Sequence, residues 1–90
     1  MKKGQMFDTR TEVLDTFYAE IGGKYYGDVS LFHTDIIDIY SIYTIEYSMR
    51  STGMGIEHAV FDSEDDARAC YDDVVRRIKY DIVKALQETA

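Results

Sequence analysis

Apolar residues recur along this chain with two periods, and the change between them predicts a helical beginning, a strand-rich middle and a helical end. Val13, Leu14, Phe17, Tyr18 and Ile21 fall three or four residues apart, the spacing that gathers side chains on one face of an α-helix. Thr9 and Glu12 stand before them at capping-box spacing, with Asp8 or Thr9 as the N-cap. Gly22-Gly23 follows, and glycine takes the left-handed conformation of a helix end at no steric cost. The pattern predicts a first helix that stops at this pair.

From Lys24 to Asp62 the period falls to two. Gly27 to Phe32 reads as a first strand, turning at His33-Thr34-Asp35. The stretch Ile37 to Met49 is rich in Ile, Tyr and Thr, all good strand formers. Its odd positions (Ile37, Ile39, Ser41, Tyr43, Ile45, Tyr47, Met49) form the buried face, and its even ones (Asp38, Tyr40, Ile42, Thr44, Glu46, Ser48, Arg50) the other. Ser51-Thr52-Gly53 supplies a turn and Met54 to Phe61 a third strand. Either register of that strand buries an awkward residue, Glu57 or His58.

The last helix starts at Ser63, with Asp66 in the capping-box position. Ala67, Cys70, Tyr71, Val74, Ile78, Ile82, Ala85 and Leu86 line one of its faces. Acids crowd its first turn, and Arg76, Arg77, Lys79 and Lys84 lie in its second half. That order complements the helix dipole, at roughly 0.3–1 kcal/mol for each well-placed charge. The predicted fold is therefore α+β, in the order α-β-β-β-α: a three-stranded antiparallel meander with an N-terminal and a long C-terminal helix packed on one face. Residues 1–90 form one domain in this reading, with 1–7 a loose N-terminal segment.

Composition narrows the functional classes. Ninety residues, 46% of them hydrophobic, supply enough apolar material for a core of their own. The formal net charge of −7 argues against direct binding to nucleic acid or to an anionic membrane, since both recruit clustered Lys and Arg. A protein with a basic surface is the natural partner for that charge. The single cysteine, Cys70, forms no internal disulfide and supports no zinc framework. No stretch approaches the roughly 20 apolar residues of a membrane span. The two lysines near the N-terminus have no apolar segment behind them, so they make no signal peptide, and the expected compartment is the cytoplasm.

Two surfaces stand out as candidate sites. The first is the acidic run: residues 62 to 73 hold Asp62, Glu64, Asp65, Asp66, Asp72 and Asp73 against one base, Arg68. Glu64, Asp65 and Asp66 suit a helix N-terminus for its own sake. Asp72 and Asp73 lie beyond the first turn, where the dipole no longer favours them, and a docking patch for a basic partner accounts for them better. The second candidate is the sheet face away from the helices, where Tyr40 and Ile42 look outward and offer a binding or homodimer surface.

Other chemistries find little support in the residues. His33 and His58 have no metal-ligand spacing, even with Asp35 and Asp38 near the first. Cys70 sits on the apolar stripe of the last helix, the usual place of a buried structural thiol. Gly53-Met54-Gly55 lies between strands without a following helix or a nearby lysine, so it is no phosphate loop. No enzyme activity, cofactor or metal is expected.

The predicted order, with a strand running straight into a capped final helix, resembles the double-stranded-RNA-binding domain over residues 9 to 86. In that family lysines at the start of the final helix grip phosphates. Here the matching positions read Ser63-Glu64-Asp65-Asp66-Ala67-Arg68, with the charge inverted. The resemblance is one of topology and carries over no binding residue.

These observations point to a non-enzymatic acidic protein-interaction module. In its most concrete form this is a small inhibitor that occupies the basic, nucleic-acid-binding surface of a partner protein. Phage-encoded anti-defence proteins of the anti-CRISPR type are similar in size and charge, a class analogy only. The alternative is a homodimerising structural or regulatory subunit that uses the Tyr40/Ile42 face.

Overall fold

The computed structural model describes residues 9–36 and 40–88. Strands β1 (Thr9–Ile21), β2 (Lys24–Ile36), β3 (Tyr40–Met49) and β4 (Glu57–Phe61) form one antiparallel sheet in sequence order. A 3-10 turn at Arg50–Thr52 lies between β3 and β4, and α1 (Glu64–Glu88) follows. The fold is α+β, but its order is β-β-β-β-α. The expected loose segment 1–7 and Ile37, Asp38 and Ile39, expected at the start of the Ile37–Met49 strand, lie outside the described residues.

The main correction concerns Thr9–Ile21, which is a strand and not a helix. Val13 pairs with Phe32 and Asp15 with Leu31, so Leu14 is an extra residue bulged out of the ladder. A bulge reverses the alternation of faces. Leu14 and Phe17 therefore both reach the core, while Val13 and Tyr18 are exposed. The apparent helical spacing is two strand faces joined by a bulge. Gly22 (φ 60°) and Gly23 (φ 80°) are both left-handed, and they link the paired residues Ile21 and Lys24. That is the geometry of a two-residue hairpin turn, in which positive φ at both positions matches the twist of the strands. The glycines close a hairpin and do not cap a helix. The fourth strand and the missing first helix also end the likeness to the double-stranded-RNA-binding order.

The other strands run close to expectation with shifted ends. β2 continues through His33-Thr34-Asp35, where a turn was predicted, and β4 begins at Glu57, later than the predicted Met54. Gly53 (φ 76°) closes the turn after β3, its N–H donating to the Arg50 carbonyl at 3.0 Å. In β4, Ala59 and Phe61 pack toward the core, while Glu57 and His58 are both exposed. Neither awkward residue is buried.

Helix α1 covers one face of the sheet. Ser63 caps it, its Oγ accepting the Asp66 N–H at 3.4 Å. Ala67, Tyr71, Val74 and Ile78 are buried against Ala19, Val29, Leu31, Ile45 and Met49. Cys70, Ile82 and Ala85 flank this core, whereas Leu86, expected on the same stripe, is 52% exposed. A close approach occurs at Gly27 (φ 155°), where a Cβ would lie 2.7 Å from the Ser48 carbonyl oxygen and 3.0 Å from Ile78 Cγ1. Glycine lets the helix settle onto the middle of the sheet.

Gly27→Ala is expected to destabilise the fold by about 1–3 kcal/mol through overpacking. Urea unfolding measures this, and an unchanged midpoint would contradict the seating described.

Candidate protein-interaction surface

Alternation along the strands and register across them place the second candidate site. On the helix-covered side of β3 lie Tyr43, Ile45, Tyr47 and Met49, paired with His33, Leu31, Val29 and Gly27 of β2. Tyr40, Ile42, Thr44, Glu46 and Ser48 point the other way, opposite Ile36, Thr34, Phe32, Ser30 and Asp28. Side-chain contacts on that open face agree with the register. Thr11 Oγ1 and Thr34 Oγ1 are 3.0 Å apart, Thr16 Oγ1 and Ser30 Oγ are 3.0 Å apart, and Tyr18 donates to Glu20 Oε1 at 2.8 Å. With a strand and not a helix at the N-terminus, one helix is left to cover the sheet among the described residues. No element among the described residues covers this face.

The open face has two regions. Away from the β1–β2 hairpin it is apolar, with exposed Tyr40, Val13 and Val60 around half-buried Phe32 and Ile42 across the four strands. Toward the hairpin it is polar and acidic. Tyr25, Asp28, Ser30, Glu46, Ser48 and Met54 line a pocket of about 340 Å³ there. Ser48 is 8% exposed, and its hydroxyl contacts Met54 Sδ at 3.9 Å. Met54 holds a left-handed backbone (φ 67°), unusual for a residue with a side chain. Burial, ahead of the nearby Asp28, raises the Tyr25 phenol pKa. His58 stands at the rim, its Nε2 3.6 Å from Glu46 Oε2. This polar region had no motif to announce it. Only the register of three strands and the β3–β4 turn brings its residues together.

The acidic candidates divide once their neighbours are known. Asp73 is paired with Arg76 and Arg77 on its own helix, and Glu64 with Arg68. Asp73 thus has a local partner beyond the reach of the dipole, which weakens its case as a docking residue. Asp62, Asp65, Asp66 and Asp72 are exposed and in no salt bridge among the described residues. Tyr40, Ser41 and Asp62 line one shallow depression, so the acidic run and the open face adjoin at that corner.

Asp15 of β1 is tied to the helix. Arg68 Nη1 lies 3.4 Å from its Oδ2 while Arg68 Nε reaches Glu64 Oε2 at 3.3 Å. Asp15 also acts on the Tyr71 hydroxyl, and burial, followed by that carboxylate, pushes the phenol pKa up to about 12. Cys70 is half-buried, and burial followed by the Asp73 charge raises its thiol pKa, the opposite of what a nucleophile needs. His33 stacks on Tyr43 at 4.8 Å between ring centres, on the sheet face away from His58. No group of three or more metal-binding side chains occurs among the described residues. No helix among them is long and apolar enough to cross a membrane.

Comparison with protein-family models, with curated proteins and with solved structures gives no match to this chain.

The Tyr71 environment fixes a pH dependence. The phenol has its ordinary value of 10.0 in the unfolded chain and about 12 in the fold. The folded state therefore keeps its proton longer. This contribution to stability is complete below pH 10 and is lost as pH rises through about 12. Stability measured by denaturant titration should fall less steeply across this window in Tyr71→Phe than in the natural protein. Equal slopes would contradict the Tyr71–Asp15 contact.

Proposed function

We propose that the protein is a non-enzymatic interaction module that engages the basic surface of a partner protein. Its most concrete form is an inhibitor that covers a surface the partner otherwise offers to nucleic acid. The observation that carries this reading is the segregation of charge. Among the described residues every Lys and Arg lies on the helix, at the strand ends or on the helix-covered side, and none on the open sheet face. That face holds Glu20, Asp28 and Glu46 beside its aromatic and apolar residues, and exposed Asp62 leads from it to Asp65, Asp66 and Asp72. A surface with apolar centre and acidic border is complementary to the mixture of Arg, Lys and aromatic groups with which proteins hold nucleic acid.

A second reading, self-association, has one observation in its favour: Val13, Tyr40 and Val60 are 58%, 56% and 62% exposed on this face. A two-fold contact through it would also bring the acids of one copy close to those of the other, which works against it.

The test is capture of partners on the immobilised chain, with binding to the recovered protein then measured against salt. Replacing Asp62, Asp65, Asp66 and Asp72 together by Asn should weaken binding about fourfold or more, as four exposed pairs at about 0.2–1 kcal/mol each imply. The same substitutions should flatten the salt dependence. Unchanged affinity would remove the acidic run from the interface. A salt-insensitive dimer with no captured partner would favour self-association.

A further inference from the structure

The pocket on the open face is specific enough to define what it receives. Asp28 lies opposite Ser48, and Ser30 opposite Glu46, so the two carboxylates occupy diagonal positions on neighbouring strands and on one face. Diagonal neighbours in an antiparallel pair are within reach of one extended side chain. Tyr25 walls the pocket, and its ring lies 5.5 Å from that of Tyr18. Ser48, more than nine-tenths buried, lines the floor; its hydroxyl contacts Met54 Sδ at 3.9 Å and interacts with the Tyr25 phenol, which also interacts with Asp28. The site thus offers two anionic acceptors and an aromatic wall. No Lys or Arg of the described chain stands on this face to fill it.

We propose that this pocket receives an arginine side chain of the basic partner, its guanidinium placed between the Asp28 and Glu46 carboxylates and against the Tyr25 ring. The inference rests on the reading of the chain as a binder of basic protein surfaces and names the anchor. Arginine suits the site better than lysine for geometric reasons. Its planar fork carries five donors, enough for two separated carboxylates, and its flat face stacks on an aromatic ring. An ammonium is a point charge that satisfies one carboxylate well. A second copy of the chain is a poor occupant, because its own open face is acidic and bears no described cation.

The proposal is tested on the full chain by NMR titration with N-acetyl-arginine amide, with the citrulline amide as uncharged isostere and the lysine amide as the second cation. Saturable shifts at Tyr25, Asp28 and Ser48 are expected in the millimolar range, weaker for lysine and absent for citrulline. Asp28→Asn with Glu46→Gln, both open-face changes outside the core, should weaken the arginine response about tenfold. Shifts that never saturate, that are equal for citrulline, or that survive the double substitution would overturn the proposal. A chain that binds the arginine probe here but captures no partner keeps the pocket and loses the wider function. A chain that binds a partner in a salt-dependent manner yet ignores the probe keeps that function and loses the pocket.

Discussion

One helix seated on one face of the sheet is the constraint from which the rest of the structure follows. Ile78 lies over Gly27, where no side chain would fit, and the helix settles there with Ala67, Tyr71 and Val74 against Val29, Leu31 and Ile45. Burial of these apolar groups is the main driving force for folding, and among the described residues it is confined to this one layer. The edge strand β1 is tied to the same helix by Asp15, which meets Arg68 and Tyr71. Everything on the opposite side of the sheet is then left to meet solvent or another molecule.

That consequence organises the surface. The polar end of the helix-covered layer collects cations: Lys24 and Arg50 flank the Tyr26 ring at 5.7 and 5.6 Å, and Arg76 and Arg77 hold Asp73. These are placements that steady the fold. The open face is different in kind, since its acids and aromatics are arranged around a pocket and an apolar area that nothing in the described chain covers. The bulge that leaves Leu14 out of the ladder also disturbs the outer edge of β1, a device that discourages strand-to-strand association and leaves the face as the more available surface.

The physics of the chain explains which parts could be read in its sequence. The final helix was legible because Ser63, the acids behind it and the stripe from Ala67 to Ile78 all favour the same element. The β3 alternation was legible because Tyr43 to Met49 keeps strict period two. The segment from Thr9 to Ile21 was misread because a single bulged residue, Leu14, turns two strand faces into helical spacing. Gly22-Gly23 serves a hairpin turn as readily as a helix end, so it could not decide between them. Of the candidate sites, the outward position of Tyr40 and Ile42 follows from parity alone. The Tyr25–Asp28–Glu46–Ser48 pocket was invisible, because its residues come from separate strands whose register the local pattern does not contain. Pairing of Asp73 with Arg76 and Arg77 could have been anticipated from their i,i+3 and i,i+4 spacing.

The most direct test of this account is the accessibility of side chains on the two sheet faces, read by NMR as relaxation of methyl and aromatic signals under a soluble paramagnetic probe at low protein concentration. Val13, Ile42 and Val60 should relax strongly, while Val29, Leu31 and Ile45 should be protected. Equal protection of both sets would place a second layer, from this chain or another copy, over the face described here as open, and would contradict the account at its root.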